Sequence, residues 1–206
     1  MKKDLILFPF NGNAIEAIDC ISDEFNLIGI VDDNKCGQTY FDIEVFDRNL
    51  IKKFPKSKIL AVPGSANNYM KKASIIDSLN IQTERFATII HPSAIISKHA
   101  QIGSNVLIMG GVVITSNVII SDNVIVLPNS VIHHDTIISS NSIIGSSVVV
   151  AGNVNIGTSC YIGSGSNIKN NLIIADGALI GLGSNVVKNV SINSIVFGNP
   201  AIEKQD

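Results

Sequence analysis

A six-residue repeat dominates the second half of the chain. Every sixth residue from Ile90 to Val186 is isoleucine or valine, which makes 17 positions without a break in phase. The residue four places after each of them is small or aliphatic, from Ala94 to Val190, and Gly, Ser, Asn and Asp fill most places between. Neither an α-helix, with a period of about 3.6 residues, nor a β-strand, with a period of about 2, selects every sixth position.

This period predicts a parallel β-solenoid in which each hexapeptide forms one flat side of a triangular coil of about 18 residues. The β-branched side chains would point inward and stack on their counterparts one coil away, while small polar residues turn the corners. The repeats amount to about five coils, which at roughly 4.8 Å per layer make a prism on the order of 25 Å long. An aliphatic core agrees with the composition, since 46% of the residues are hydrophobic but only 5% are aromatic.

The first part of the chain has a different pattern, in which apolar runs alternate with amphipathic stretches. Such alternation predicts a small parallel sheet, here a Rossmann-like α/β domain over residues 1–88, followed by the solenoid domain over residues 89–206. The expected elements are a strand at 4–10, a helix at 13–25, strands at 26–33 and 58–64, and a helix at 66–79.

Ligands of such sheets bind at the carboxyl ends of the strands, where this chain carries small polar residues. The candidate substrate-binding residues are Asn11, Gly12, Asn13, Asp32, Asp33, Gly64 and Ser65. A glycine turn before a helix can hold a phosphate through free backbone N–H groups, which would make this a nucleotide or sugar-phosphate site. The alternative is that Gly12 forms a tight turn and Asn13 caps the helix, and a single glycine does not decide between them.

Two adjacent histidines and an aspartate interrupt the repeat at His133, His134 and Asp135. Neighbours in an extended chain project to different sides, so His133 and His134 should not act together. A histidine beside a carboxylate can serve as a general base, although a solvated polar corner explains the same residues. A zinc site needs three or four converging ligands, and His99, about two coils earlier, is the one histidine placed to stack near His134. We therefore expect no metal.

Charge and cysteine content exclude several classes of function. A net charge of −2 and a pI near 6.1 provide no basic surface for nucleic acid. The apolar run near the N-terminus is shorter than a signal peptide requires, and no segment approaches the roughly 20 apolar residues of a membrane span. Three scattered cysteines do not suggest a disulfide framework, so we expect reduced thiols in a cytoplasmic protein.

The solenoid pattern resembles the left-handed β-helix of the hexapeptide-repeat acyltransferases, and the handedness is implied by that resemblance alone. A βαβ domain, a junction "FATIIHPSAIIS" and an uninterrupted solenoid together look like one subgroup, the bacterial sugar acetyltransferases. That subgroup covers N-acetylation of nucleotide-linked amino sugars (bacillosamine and perosamine pathways) and O-acetylation of sialic acid. The resemblance implies that the N-terminal domain binds the sugar or its nucleotide, and that the solenoid binds acetyl-CoA between subunits of a homotrimer.

The resemblance also implies roles for individual residues. His134 matches the general base of these enzymes, Asp135 the acid that orients it, and Gly152 the backbone N–H donor to the oxyanion. The segment "VFGNPAIEK" resembles the Gly-x-Pro-Ala stretch that flanks the CoA adenine and ribose. The cofactor-binding residues implied in this way are Gly152, Gly163, Ser164, Gly181, Leu182, Ser184, Gly198, Pro200 and Ala201. The family often has a Gly-His pair in its first loop, where this chain has Gly12-Asn13.

Three hypotheses for function follow. The first is a homotrimeric, cytoplasmic, acetyl-CoA-dependent acetyltransferase that N-acetylates a nucleotide-linked amino sugar without a metal ion. The second is O-acetylation of a hydroxyl on sialic acid or another sugar. The third is a non-catalytic solenoid that binds a sugar nucleotide as a scaffold, against which His134, Asp135 and Gly152 argue.

Overall fold

The computed structural model describes residues 2–204 and places a small sheet before a long β-helix. The strands of the N-terminal sheet are β1 (Lys3–Phe8), β2 (Phe25–Val31), β3 (Thr39–Tyr40), β4 (Ile43–Phe46) and β5 (Lys58–Ala61). The helices are α1 (Gly12–Ile18), α2 (Asn49–Lys53) and α3 (Lys72–Asp77), with short 3-10 helices at Tyr69–Lys71 and Thr83–Arg85. The strand order is β3-β4-β2-β1-β5, and all neighbours are parallel except β3 and β4.

The N-terminal helices are shorter than the sequence predicts, and β3, β4 and α2 are absent from that prediction. The N-cap of α1 is Asn11 rather than Asn13, because the side-chain oxygen of Asn11 accepts a hydrogen bond from the Ala14 N–H at 2.9 Å. After Ile18 the chain tightens, since Cys20 N–H donates to a carbonyl three residues back. The expected helix over 13–25 therefore ends early.

From Ile89 onward, short parallel strands form three sheets, which are the faces of a triangular prism. Face 1 contains β6 (Ile89–Ile90), β9 (Leu107–Ile108), β12 (Ile125–Val126), β15 (Ile143–Ile144), β18 (Tyr161–Ile162), β21 (Leu179–Ile180), β23 (Ile195–Gly198) and the antiparallel β24 (Ala201–Glu203). Face 2 contains β7 (Ile95–Ile96), β10 (Val113–Ile114), β13 (Val131–Ile132), β16 (Val149–Val150), β19 (Asn167–Ile168) and β22 (Asn185–Val186). Face 3 contains β8 (Gln101–Ile102), β11 (Ile119–Ile120), β14 (Ile137–Ile138), β17 (Asn155–Ile156) and β20 (Ile173–Ile174).

Each strand pairs with the strand one coil away, as the six-residue period requires. Ile114 pairs with Ile132 and Ile132 with Val150, a step of 18 residues each time. The inward residues of all three faces form one continuous buried core of isoleucine and valine side chains. The predicted parallel solenoid with 18-residue coils is confirmed.

Asparagines turn many corners of the prism in the left-handed backbone conformation. Asn117, Asn123 and Asn141 have φ values of 60°, 61° and 66°. This conformation is costly for most residues, but asparagine tolerates it better than residues with larger or branched side chains do. Amides one coil apart also bond to each other, as where Asn123 Nδ2 donates to Asn141 Oδ1 at 3.1 Å.

The N-terminal domain packs on face 1 of the β-helix. Side chains of its sheet share a buried cluster with the outward residues of that face, such as Leu107 and Ile125. At the edge between faces 3 and 1, Asn105 Oδ1 accepts from Ala61 N–H at 2.8 Å and Asn105 Nδ2 donates to Ala61 O at 3.0 Å. The edge between faces 2 and 3 is therefore on the opposite side of the prism from the N-terminal domain.

The last coil is covered by the hairpin of β23 and β24, whose buried Val196 extends the core. None of the helices described between residues 2 and 204 is long and apolar enough to cross a membrane.

Candidate active site

The histidine and aspartate singled out in the sequence form a pair at the edge between faces 2 and 3, in the corner after β13. His134 Nδ1 lies 2.7 Å from Asp135 Oδ2, and the side chains are 62% and 51% exposed. When Nδ1 carries the proton and donates a hydrogen bond to the carboxylate, Nε2 is unprotonated and is the basic nitrogen of the ring. The corner can thus present a proton acceptor to a bound molecule.

A second side chain holds the same carboxylate. Asn117, one coil earlier, donates from Nδ2 to Asp135 Oδ1 at 3.0 Å. The hydrogen bond with His134, followed by that from Asn117, holds the pKa of Asp135 below its usual value of 3.8. The carboxylate is therefore ionised at neutral pH. Sequence reasoning missed Asn117, although the 18-residue spacing identifies it as the neighbour of Asp135.

Gly152, one coil after His134, lies against the imidazole ring. A Cβ atom at this position would be 2.6 Å from both Cε1 and Nε2 of His134, a distance that real Cβ contacts do not show. The Gly152 N–H has no acceptor among residues 2–204. Absence of a side chain at Gly152 is thus what leaves room for the ring and for a molecule beside it.

His133 takes a separate position from His134. Its backbone N–H donates to Val150 O at 2.9 Å, which keeps it in register with the next coil, and its side chain is half-buried. Within the described chain no group of three His, Cys, Asp or Glu side chains is close enough together to hold a metal ion.

The candidate substrate-binding loops converge at the carboxyl ends of β1 and β5. Asn11 Nδ2 donates to Val62 O at 3.0 Å, and Asn13 Nδ2 donates to Val62 O at 3.2 Å and to Gly64 O at 3.1 Å. A Cβ at Gly12 would meet no atom within 4 Å. The two amides therefore join the loops, while Gly12 faces open space.

Local structure accounts for the residue types at Gly64 and Ser65. Gly64 has a φ of 129°, and a Cβ there would lie 2.5 Å from Cδ1 of Ile143 on face 1. Ser65 donates from both its N–H and its hydroxyl to Asn68 Oδ1, at 2.7 and 3.0 Å. Domain packing explains the first residue, and a local turn explains the second.

The two aspartates after β2 differ in how many of their carboxylate oxygens have a partner. Asp33 Oδ1 accepts from Arg48 N–H at 2.9 Å, and Asp33 Oδ2 pairs with Arg48 Nε at 2.6 Å. Asp32 Oδ1 accepts only from Asn34 N–H at 3.0 Å, and Asp32 Oδ2 has no partner within residues 2–204. Asp32 is thus the carboxylate that can bond to a ligand, and Arg48 is a residue that the sequence did not single out.

The residues expected to bind the cofactor are not all on one edge. Those in the corners between faces 1 and 2 are Gly163, Ser164, Gly181, Leu182 and Ser184, and those in the hairpin of β23 and β24 are Gly198, Pro200 and Ala201. His134 and Gly152 lie on the edge between faces 2 and 3. One chain therefore does not bring the two groups together.

Comparison of the sequence with known proteins gives limited information. A family model described as the GMPPB C-terminal domain matches residues 85–176, which is less than half of the chain. A search of the curated proteins found no match.

Comparison of the structure is more informative. A perosamine N-acetyltransferase mutant from Caulobacter crescentus, solved with CoA and GDP-perosamine, is 20% identical, with a TM-score of 0.86 over 100% of this chain and 98% of that one. The acetyltransferase domain of PglB from Neisseria gonorrhoeae, solved with acetyl coenzyme A, is 21% identical, with a TM-score of 0.85 over 99% and 100%. WeeI from Acinetobacter baumannii is 23% identical, with a TM-score of 0.82 over 99% and 100%. These likenesses confirm the predicted fold, an α/β domain followed by a left-handed β-helix, along the whole chain.

Proposed function

We propose that the chain is an acetyl-CoA-dependent acetyltransferase that N-acetylates a nucleotide-linked amino sugar. The observation that carries the proposal is the arrangement of His134, bonded to Asp135 at 2.7 Å and lying against Gly152. A scaffold has no need for an ionised carboxylate aligned on a histidine. Further support comes from the perosamine N-acetyltransferase of the same fold, which was solved with CoA and GDP-perosamine. The proposal includes a cytoplasmic location, with which the three free cysteines, Cys20, Cys36 and Cys160, agree.

The paired side chains suit attack of an amine on a thioester. The amine nitrogen of the sugar bonds to the carbonyl carbon of acetyl-CoA and gives its proton to His134 Nε2. Asp135 accepts the Nδ1 hydrogen bond and stabilises the imidazolium that forms. The carbon–sulfur bond then breaks, and the CoA thiolate takes the proton from His134. A base in this position contributes about 10²–10⁴ in rate. No metal is needed in this sequence of steps.

The carbonyl oxygen becomes negatively charged during the attack and needs a hydrogen-bond donor. Gly152 has a backbone N–H that makes no hydrogen bond within residues 2–204 and sits beside the ring of His134. One such donor is worth about 10²–10³ in rate. The absence of a Cβ at Gly152 would also let the bulky thioester approach both groups.

The N-terminal domain would hold the nucleotide part of the acceptor. Asp32, at the end of β2, has one carboxylate oxygen without a partner within residues 2–204, suited to a ribose hydroxyl, whereas Asp33 is already paired with Arg48. Gly12, with open space around it, would let the phosphates approach the backbone between Asn11 and Asn13. Gly64 and Ser65 would shape the floor of this site.

The position of His134 supports an active site shared between copies of the chain. The N-terminal domain covers face 1, and the edge that carries His134 and Gly152 is on the far side of the prism. The glycines expected to contact CoA, such as Gly163 and Gly181, lie apart from both, on the edge between faces 1 and 2. A neighbouring copy can supply both missing parts, and a closed ring of three is the assembly that we propose.

Faces 2 and 3 have the apolar surface that such an assembly needs. On face 2, Ile95 is 66% exposed, and Val113, Val131 and Val149 follow it at the outward positions of the next coils. On face 3, Ile119, Ile137 and Ile173 are 36%, 37% and 54% exposed. Exposed apolar surface of this kind marks interaction sites on soluble proteins. Light scattering should give three times the chain mass of 21.9 kDa, and a monomer would contradict the shared site.

The reaction is tested by measuring release of free CoA from acetyl-CoA in the presence of a panel of acceptors. The panel contains UDP-, GDP- and dTDP-linked amino sugars and free sialic acid, and mass spectrometry identifies the acetylated product. Turnover with an amino sugar is the expected result. Turnover with sialic acid alone would replace N- by O-acetylation, and binding without turnover would favour the scaffold.

The shared site is tested by mixing two inactive variants. His134→Ala lacks the base, and Asp32→Ala has a damaged nucleotide site. Co-assembled trimers should regain activity, because some sites then combine an intact edge from one copy with an intact N-terminal domain from another. Mixed trimers that stay inactive would show that each chain needs its own two sites.

A further inference from the structure

Asp135 occupies a corner position at which three other coils place asparagine. Positions 117, 135, 153 and 171 stack on one another along one edge of the prism, one coil of 18 residues apart. Asn117, Asn153 and Asn171 have φ values of 60°, 57° and 60°. Asp135, between the first two, has the same φ of 60°. Because asparagine meets the conformational requirement in the other corners, the backbone does not require a carboxylate here. The charge of Asp135 needs another explanation.

The hydrogen bonds of Asp135 differ from those of the other aspartates in the coils. The carboxylates of Asp122 and Asp176 each accept a backbone N–H from the preceding coil at 2.7 Å, which joins one coil to the next. Asp135 accepts from two side chains, Asn117 at 3.0 Å and His134 at 2.7 Å. Its carboxylate is thus directed at the imidazole and braced from the other side by an amide.

We infer that Asn117 is a positioning residue that fixes the Asp135 carboxylate in the orientation that aligns His134. The inference rests on the proposed function, in which His134 is the base. The terminal torsion of an aspartate is broad, so a carboxylate that is 51% exposed rotates easily unless both oxygens are held. With Oδ1 held by Asn117, Oδ2 faces His134 Nδ1.

The electrostatics agree with this role. Both hydrogen bonds lower the pKa of Asp135, so the amide of Asn117 favours the ionised carboxylate that the imidazolium needs during the reaction. An asparagine also adds no charge of its own beside the Asp135–His134 pair.

The test uses Asn117→Gly, which removes the amide while glycine keeps the left-handed conformation without strain. We expect kcat to fall about tenfold, with KM for both substrates unchanged. Asn141→Gly is the matched control. Asn141 has a φ of 66° and its Oδ1 accepts from Asn123 Nδ2 at 3.1 Å, but it lies on the edge between faces 3 and 1. Its kcat should stay at the wild-type value.

A double-mutant cycle separates positioning from a structural effect. In an Asp135→Asn background, Asn117→Gly should cause no further loss of kcat, because the carboxylate it positions is gone. An equal loss in both backgrounds would overturn the inference. Nitrogen NMR of the imidazole offers a readout that needs no turnover, since Asn117→Gly should lower the Nδ1-protonated fraction of His134. If His134→Ala keeps full activity, the proposed mechanism fails. If His134→Ala loses activity but Asn117→Gly keeps the wild-type kcat, the proposed mechanism stands and the role of Asn117 is wrong.

Discussion

Replacing Lys72 by methionine should stabilise the protein at neutral pH. Lys72 is the first residue of α3 and is completely buried, and its Nζ has no hydrogen-bond partner within residues 2–204. A Cβ at Gly64 would lie 3.7 Å from Cδ of Lys72 and 2.5 Å from Cδ1 of Ile143 on face 1. The side chain of Lys72 is thus buried near the contact between the N-terminal domain and the β-helix, and no carboxylate within residues 2–204 pairs with its amine.

The size of the effect follows from the cost of burying the amine. Burial lowers the pKa of Lys72 from 10.5 to about 7. At about 1.36 kcal/mol per pH unit, this corresponds to about 5 kcal/mol of lost stability at low pH. Real interiors relax around a charge, so we expect Lys72→Met to be more stable by on the order of 2–5 kcal/mol near pH 7.

The stability difference between Lys72→Met and wild type should depend on pH, whereas a difference in packing alone would not. Between about pH 7 and pH 10.5 the unfolded chain holds a proton that the folded chain lacks at Lys72, so wild-type stability rises with pH. Lys72→Met lacks this contribution, so its advantage should shrink toward zero near pH 10. Below about pH 7 both states of the wild type are protonated and the difference stays constant.

Urea unfolding of both proteins between pH 7 and pH 10, at one fixed protein concentration, measures the free energies. Lys71→Met, a change at the exposed neighbour, is the control and should shift stability by less than about 0.5 kcal/mol. A Lys72→Met variant that is no more stable than wild type at pH 7, or a stability difference that does not depend on pH, would refute a cost of burying the Lys72 amine.

Three further predictions concern the two domains and the pair at the edge. Gly152→Ala should fold normally but lose at least about 10²-fold in kcat, because its Cβ displaces the ring of His134; circular dichroism and the CoA-release assay check this. Asp135→Asn should lower kcat by about 10²–10⁴ at every pH tested, whereas the wild type, with its lowered Asp135 pKa, keeps the carboxylate ionised down to pH values below 3.8. Asn105→Ala should lower the free energy of unfolding in urea by about 2–4 kcal/mol, because it leaves both backbone groups of Ala61 without their partner.

Gly110→Ala provides a control for the first of these. A Cβ at Gly110 would meet no atom closer than 3.4 Å, so kcat should be unchanged. A similar loss in both alanine variants would mean that the coils, rather than the ring of His134, are disturbed.

The β-helix is predictable from sequence because the six-residue repeat fixes which strands pair. Coils stack on themselves at 18 residues, so a residue such as Ile132 identifies its own neighbours, Ile114 and Val150, by spacing alone. The same rule would have identified Asn117 from Asp135.

The N-terminal domain was less predictable for a physical reason. Its β3, β4 and α2 are two to five residues long, too short for any periodicity to develop. The pairing of Asp33 with Arg48 spans a hairpin of those same elements, so the sequence could not show that this carboxylate is occupied. Asp32 and Asp33 therefore looked equivalent.

The division of the candidate site between edges could not be read from sequence either. The repeat fixes which residues share an edge, but not which face the N-terminal domain covers. That choice depends on contacts such as Tyr69 Oη donating to Gly177 O at 2.9 Å, between residues far apart in the chain. Because the N-terminal domain covers face 1, His134 lies away from the candidate substrate-binding loops of its own chain.

The central claim is that His134 is the base of an acetyl transfer. The most direct measurement is kcat for CoA release by wild type and His134→Ala with the best amino-sugar nucleotide, with acetyl-CoA binding measured in parallel. His134→Ala should lose about 10²–10⁴ in kcat and retain acetyl-CoA binding. Equal kcat in the two proteins would contradict it.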